Sequence, residues 1–208
     1  MKPSSNIVAA FDFDGTITTS DSLKAFVLHT VGPARFAAAG LRAAPRLLCM
    51  TARLCDRGVA KAAFLRHALR GMSPAELERA SQDFCATRLA RMVRPEMVER
   101  IRQHQALSHE VVLVSASPSL YLRIWAQSVG IGVVLSTELD IDRQGFTGRF
   151  IGRNCWGPEK VRRLEAWWNG SRPRMLFAYG DSRGDREMAA AADVAWVRGN
   201  GELPALDR

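Results

Sequence analysis

The segment from Ile7 to Thr19 constrains this chain most, because it joins a buried strand to a pair of acids. The five apolar residues Ile7–Phe11 are typical of a parallel strand that is covered on both faces. Asp12 and Asp14 follow, and Gly15 comes directly after them. Two carboxylates this close both stay ionised only beside a cation. Taken alone, the segment fits either an acidic turn after a strand or the start of an active site.

Length and composition indicate an ordinary globular protein. The chain has 208 residues, of which 47% are hydrophobic and 24% charged. The four cysteines show neither metal-ligand spacing nor a disulfide framework, so we interpret them as free thiols in a reducing compartment. No signal-peptide pattern opens the sequence, and no apolar run of about 18 residues is free of charge. We therefore expect a cytoplasmic location, with peripheral contact at the inner membrane as a further possibility.

Residues 20–105 read as a helical module without a convincing strand. Gly32 and the proline after it break the first helix, and Pro45 is expected to interrupt the next one. Ser73 and Glu76, with a proline between them, form a capping-box pattern at the start of a later helix. We predict a helical cap domain over this range.

The rest of the chain alternates strands with helices. This alternation predicts a parallel α/β sheet with right-handed crossovers. We assign residues 1–19 and 106–208 to this α/β core, with the cap inserted between them. The strands predicted after the cap are Glu110–Ser115, Ile131–Ser136, a hairpin of Thr137–Asp142 with Phe146–Ile151, Met175–Tyr179 and Val194–Val197.

Polar residues follow three of the predicted strands, where ligands bind in open α/β sheets. Several carboxylates at one edge of a sheet require a cation, and oxygen ligands near a phosphate favour Mg²⁺. Hydroxyl and ammonium groups at the same edge would supply donors for phosphate oxygens. The residues concerned are Asp12, Asp14, Ser115, Ser117, Asp181 and Asp185, together with Lys160, one of only four lysines.

These motifs resemble those of the haloacid dehalogenase superfamily of phosphohydrolases, in subfamily IB, whose helical cap follows the first strand. The first motif is similar to the run Asp12–Thr16, and the second to the strand that ends at Ser115. Lys160 stands for the third motif and the run Gly180–Asp185 for the fourth. The four occur in the family's order and span nearly the whole chain. The resemblance implies a Rossmann-like core with an inserted helical cap.

The resemblance also implies a role for each residue. Asp12 would attack phosphorus and carry an aspartyl-phosphate, and Asp14 would act as general acid and then as general base. Mg²⁺ would be held by Asp12, by the backbone carbonyl of Asp14 and by Asp181, with Asp185 in support. The phosphoryl oxygens would be held by Ser115, Ser117 and Lys160, the last of these also offsetting charge in the transition state.

The substrate stays open between two classes of phosphate ester. The chain resembles phosphoserine phosphatases, which use a Glu nine residues after the nucleophile to hold the substrate amine, but here that position is Asp21. It also resembles bacterial phosphatidylglycerophosphate phosphatases, in the segment from Asn154 to Val161 and in its arginine-rich cap. A third interpretation is a non-catalytic protein that binds anionic lipid or nucleic acid. The acids at every motif position count against it, and we expect no nucleic-acid partner.

The positive charge lies in the cap. Residues 20–105 hold 15 Lys or Arg against 7 Asp or Glu, whereas the remainder is balanced at 14 against 14. No acid occurs from Ser22 to Cys55. Five arginines in or next to this acid-free stretch are spaced so that they would fall on one side of a helix, and we call them the arginine stripe. This is either a solvated cap face or an interfacial segment that contacts an anionic membrane. The arginines are Arg35, Arg42, Arg46, Arg53 and Arg57.

Overall fold

A computed structural model describes residue 3, residues 5–52 and residues 54–206. It confirms the predicted fold class, a mostly parallel sheet flanked by helices with a helical segment after the first strand. The strands are β1 (Ile7–Phe11), β2 (Glu110–Pro118), β3 (Val133–Asp142), β4 (Gly145–Ile151), β5 (Met175–Gly180) and β6 (Val194–Val197). The helices are α1 (Ser22–Thr51), α2 (Arg57–Ala68), α3 (Pro74–Thr87), α4 (Pro95–Ala106), α5 (Ser119–Ser128), α6 (Pro158–Trp168) and α7 (Arg186–Ala191).

The sheet places β1 between β2 and β5, in the order β4-β3-β2-β1-β5-β6. All neighbouring strands are parallel except β3 and β4, which form an antiparallel hairpin. Phe11, the last residue of β1, is in register with Leu113 of β2 and Tyr179 of β5. The carboxyl ends of these three strands therefore meet at one edge of the sheet.

The centre of the sheet is buried on both faces, which is why β1 is apolar throughout. Ala9 and Phe11 belong to one hydrophobic cluster, whereas Val8 and Ala10 belong to another. Successive side chains of a strand point to opposite faces, so each cluster covers one side of the sheet. Phe11 stacks on Tyr179 with ring centroids 4.3 Å apart.

The described residues of 22–106 form helices joined by turns and no strand, as the sequence indicates, apart from one isolated bridge between Thr18 and Val93. Gly32 breaks α1 with a φ of 73°, a conformation that favours glycine. The expected interruption at Pro45 is wrong, since Gly32 is the one residue inside α1 with non-helical angles. Residues 33–51 thus form one helical segment, which we call the distal segment of α1. The domain boundaries at residues 19/20 and 105/106 remain a prediction.

One further detail differs from the sequence prediction. The predicted strand at Ile131–Ser136 and the first arm of the hairpin are one strand, β3, whose first half pairs with β2 and whose second half pairs with β4. Helix α2 begins at Arg57, where Asp56 caps it, and α3 ends at Thr87. The capping box at Ser73 is present.

All four cysteines are free, as predicted. Among the residues described, no helix combines the length and the hydropathy needed to cross a bilayer.

Candidate active site

The carboxyl ends of β1 and β5 and the start of α6 bring Asp12, Asp185 and Lys160 into direct contact. Lys160 Nζ donates hydrogen bonds to Asp12 Oδ1 at 2.5 Å, to Asp185 Oδ1 at 2.6 Å and to the backbone carbonyl of Val114 at 2.9 Å. All three side chains are almost fully buried. Thr16 donates to the second oxygen of Asp12. Lys160 is therefore the ammonium that binds both buried acids.

Asp14 lies in the turn that follows β1, and its carboxylate binds residues other than Lys160. Its Oδ1 accepts the backbone N–H of Ser22 at 2.6 Å, and its Oδ2 accepts the hydroxyl of Ser117 at 2.5 Å. The start of α1 and the end of β2 thus hold this carboxylate in place. It lines the same cavity as Asp12.

Ser115 and Ser117 lie at the end of β2, and both are buried. The Ser115 hydroxyl accepts the backbone N–H of Ser117 at 3.0 Å. The structure therefore gives each hydroxyl a partner within the protein: Ser115 shapes the end of the strand, and Ser117 donates to Asp14. Ser117 lines the cavity, and Lys160 binds the carbonyl just before Ser115.

The turn after β5 positions the remaining two acids. Asp185 Oδ2 accepts the backbone N–H groups of Asp181 and Ser182, at 3.2 and 3.1 Å. Asp181 lies against Gly15, whose φ is 81°. A side chain at Gly15 would overlap the carboxylate of Asp181, so glycine here allows the β1 and β5 turns to approach closely. Arg198 stabilises the turn after β1 by donating a hydrogen bond to the Gly15 carbonyl at 3.1 Å.

These contacts form a site whose chemistry suits a divalent cation. One carboxylate oxygen from each of Asp12, Asp181 and Asp185 lies within 4.8 Å of the others. Of these three acids, Lys160 contacts only Asp12 and Asp185, so it neutralises part of the charge. An all-oxygen set with an excess of negative charge fits Mg²⁺. The carboxylate of Asp14 is not a member of this group, consistent with a predicted metal contact through its backbone carbonyl only.

Burial dominates the electrostatics of the site. Desolvation raises the pKa of Asp12 to about 7, against the opposing effect of Lys160. Desolvation also raises the pKa of Asp14, although its hydrogen bonds from Ser117 and Ser22 oppose the shift. For Lys160, burial alone would lower the pKa, but Asp12 and Asp185 outweigh it and hold the pKa above its usual value. Lys160 is therefore charged throughout the neutral range.

A cavity of about 750 Å³ opens above these residues, between the sheet edge and the helices α1 and α2. Its floor is polar, whereas the helices contribute mainly apolar side chains. Asp21 lies at this cavity, where it is exposed and caps α1 by accepting the backbone N–H of Lys24 at 3.0 Å. The apolar residues that line the helical wall are Leu23, Phe36, Leu47, Met50 and Phe64.

One cavity residue, Lys61, was not anticipated from the sequence. Lys61 reaches from α2 to the end of β2, where its Nζ donates to the carbonyl of Ala116 at 2.5 Å and lies 3.4 Å from Asn154 Oδ1. Burial lowers the pKa of Lys61 to about 8. The sequence offers one hint of a special role for Lys61, because lysine is rare in this chain: only four of its 29 basic residues are lysines.

Comparisons with known proteins agree with this geometry. A family model described as haloacid dehalogenase-like hydrolase matches residues 9–190. Protein CicA of Caulobacter vibrioides (strain NA1000 / CB15N) is 36% identical over 193 residues, which is 92% of this chain and 86% of the relative.

Solved structures share the fold. A protein of unknown function from Bordetella pertussis Tohama I superposes with a TM-score of 0.78 at 24% identity, covering 92% of this chain and 89% of the other. A substrate-bound phosphoserine phosphatase complex gives 0.65 at 14% identity, covering 95% and 86%. At these identities the likeness concerns the fold alone.

Proposed function

Because the chain belongs to the haloacid dehalogenase-like hydrolase family, we propose that it is a Mg²⁺-dependent phosphomonoester hydrolase with Asp12 as its nucleophile. Membership of this family confirms the prediction of an enzyme at the level of a hydrolase. The observation that carries the finer proposal is the buried contact of Lys160 with Asp12 and Asp185, with Asp14 held two residues from the nucleophile.

In the first step, an oxygen of Asp12 forms a bond to phosphorus while the bond from phosphorus to the ester oxygen breaks. The electron pair of that bond goes to the leaving oxygen, which takes a proton from Asp14. The raised pKa of Asp14 supports this role, because it keeps more of the carboxyl protonated near neutral pH. The products are an alcohol and an aspartyl-phosphate on Asp12.

In the second step, a water molecule attacks the phosphorus of the aspartyl-phosphate and gives a proton to Asp14. The bond between phosphorus and Asp12 breaks, so inorganic phosphate leaves and the carboxylate of Asp12 is restored. Asp14 is protonated again and ready for the next ester. The hydrogen bonds from Ser22 and Ser117 fix this carboxyl in both steps.

Lys160 favours the ionised form of the nucleophile and fixes its position. An ammonium at 2.5 Å stabilises the charged form of Asp12 against the cost of burial. Its second partner, Asp185, fixes its position, so that Lys160 offsets negative charge at the reacting group without moving. We propose the same region, with Ser115 and Ser117, for the phosphoryl oxygens.

Mg²⁺ would be held by Asp12 and Asp181, with Asp185 in support and the backbone carbonyl of Asp14 as a further ligand. When bound, the ion would neutralise charge on the phosphoryl oxygens. The supporting observation is the group of three carboxylates, of which two share a single ammonium.

Two substrate classes each have an observation in their favour. The apolar wall of the cavity favours an ester with an apolar portion next to its phosphate, such as a phospholipid head-group phosphate like phosphatidylglycerophosphate. Asp21 at the cavity favours an ester with an amine, such as phosphoserine. The carboxylate of Asp21 already caps α1, which leaves it less free to hold an amine.

Phosphate release from a panel of soluble esters and detergent-dispersed lipid phosphates, with and without Mg²⁺, tests the proposal. We expect Mg²⁺-dependent turnover in the wild type and none in Asp12→Asn. Glu202→Gln removes one charge at an exposed position outside the cavity and serves as the matched control. Equal turnover in Asp12→Asn and the control would refute the assignment of the nucleophile.

A further inference from the structure

The distal segment of α1 carries two large apolar side chains that nothing covers within the described part of the chain. Leu41 is 78% exposed and Leu48 is 67% exposed. They are seven residues apart, so they lie within about 20° of each other on the helix. Leu54, just beyond the segment, is 81% exposed. This outer face is therefore a row of leucines in solvent.

The same segment has a second apolar face that the protein does use. Phe36, Leu47 and Met50 are partly buried and line the cavity above the catalytic acids. The segment thus forms one wall of the active-site cavity, and both its cavity-lining face and its solvent-exposed face are apolar. Burial against the rest of the chain explains only the inner face.

Basic residues lie to one side of the exposed leucines. Arg42 and Arg46 are exposed and lie about 100° and 140° around the helix from Leu41. Neither takes part in an ion pair within the described ranges. Arg35 continues this edge and donates to the carbonyl of Arg70. Arg53 lies outside the described residues, and Arg57 begins α2 and lines the cavity, so the predicted stripe of five arginines does not lie on one helix.

We propose that the distal segment of α1 docks on anionic lipid bilayers, with Leu41 and Leu48 below the head groups and Arg42 and Arg46 at the level of the lipid phosphates. An apolar row with a basic edge is the pattern of helices that lie in a bilayer interface. Long arginine side chains can reach the phosphates while their stems cover apolar surface. The absence of any acid from Ser22 to Cys55 removes repulsion from a negative surface.

The positive charge of this face favours an anionic bilayer over a second copy of the chain as its partner. A symmetric dimer through this face would bring the same arginines of both copies together without acids to pair them. An anionic bilayer complements the arginines and accepts the leucines without a shaped pocket. The purpose of docking rests on the proposed function, because it would bring the cavity to a phosphate ester displayed at the membrane. Vesicle binding itself is measured without turnover.

Sedimentation with vesicles tests the proposal on the full chain. One set of vesicles contains phosphatidylglycerol in phosphatidylcholine and the other phosphatidylcholine alone. We expect binding to the anionic set that weakens with added salt. The double variant Leu41→Ser/Leu48→Ser should lower the affinity at least about tenfold. Arg42→Gln/Arg46→Gln should lower it about 25-fold, at about fivefold per basic residue.

Matched controls change the same residue types elsewhere. Leu107→Ser/Ile151→Ser removes two exposed apolar side chains, and Arg88→Gln/Arg91→Gln removes two exposed charges. Both should bind vesicles like the wild type. Turnover of a soluble ester should persist in the α1 variants, whose changed residues do not line the cavity. A loss of vesicle binding with turnover retained therefore separates this proposal from the proposed function.

Three results would overturn the proposal. The first is a wild type that stays in the supernatant with anionic vesicles at low salt. The second is binding that the leucine variant leaves unchanged, which would reveal plain electrostatic adsorption. The third is a wild-type dimer that Leu41→Ser/Leu48→Ser dissociates without any vesicle binding, which would assign the face to a second copy of the chain.

Discussion

Replacing Lys160 by methionine removes the one ammonium that two buried carboxylates share. Methionine has a similar length and no charge, so the change tests charge rather than packing. Asp12 and Asp185 accept from this ammonium at 2.5 and 2.6 Å, and their side chains are 8% and 1% exposed. Without Mg²⁺, the described part of the chain offers no other ammonium to these two side chains.

The magnitude follows from this geometry. Breaking a buried ion pair by removing one partner costs roughly 3–5 kcal/mol. The two pairs share one ammonium, so we do not double this figure. Asp12 can escape part of the cost by taking a proton, since its pKa is already raised to about 7 and would rise further in the variant. A carboxyl pKa above its unfolded value means that stability falls as pH rises toward the folded pKa. The variant should therefore lose more stability at pH 8 than at pH 6.

Urea unfolding with a chelator present, at pH 6 and pH 8, measures this loss. Lys24→Met changes an exposed lysine and is the control for the loss of one charge. Turnover should also fall, by roughly 10²–10⁴-fold, because the nucleophile is less ionised and less well placed. A loss below about 1 kcal/mol at both pH values, with turnover within tenfold of wild type, would refute the reasoning.

Three other predictions concern single groups. Asp14→Asn should lower turnover of alkyl phosphates roughly 10²–10⁴-fold while Mg²⁺ affinity, measured by calorimetry, largely survives; a defect explained wholly by lost metal would contradict the role. A chelator should abolish wild-type activity and added Mg²⁺ should restore it, but not in Asp181→Ala; full activity after chelation would exclude the metal site. Buried His104 contacts His109 and Tyr179, and desolvation lowers its pKa to about 3. The unfolded chain thus binds the proton more readily, so urea unfolding should show about 1 kcal/mol less stability at pH 5.5 than at pH 7.5, and no such loss from this residue in His104→Gln.

The sequence was sufficient for the fold class because its strands are short apolar runs between polar turns. It was less informative where one element has two partners. Strand β3 pairs with β2 along its first half and with β4 along its second, so its apolar pattern changes at Thr137 and reads as two strands. Pro45 reads as a helix breaker, yet the backbone stays helical through it. Ala39 and Ala43 are buried on the same helix, and this packing offsets the hydrogen bond lost at Pro45.

The candidate site was predictable as far as it depends on strand ends. Asp12, Asp181 and Asp185 meet because parallel strands bring their carboxyl ends to one edge. Contacts between distant segments left no pattern in the sequence: Lys61 reaches a carbonyl 55 residues away, and Ser117 donates to Asp14 across 103 residues.

The sequence also did not indicate which apolar residues of α1 are exposed to solvent. Leu47 and Leu48 are neighbours of the same type, but one lines the cavity and the other lies in solvent.

Direct detection of a phosphoryl group on Asp12 tests the catalytic proposal most directly. Asp14→Asn mixed with p-nitrophenyl phosphate and Mg²⁺ should accumulate the intermediate, because this leaving group needs no proton whereas the second step still lacks its base. Acid quenching, proteolysis and mass spectrometry should then place one phosphoryl group on the peptide that contains Asp12. The same peptide should be unmodified when Asp12→Asn is added. No modified peptide despite a burst of nitrophenol, or a phosphoryl group on any other residue, would contradict the mechanism.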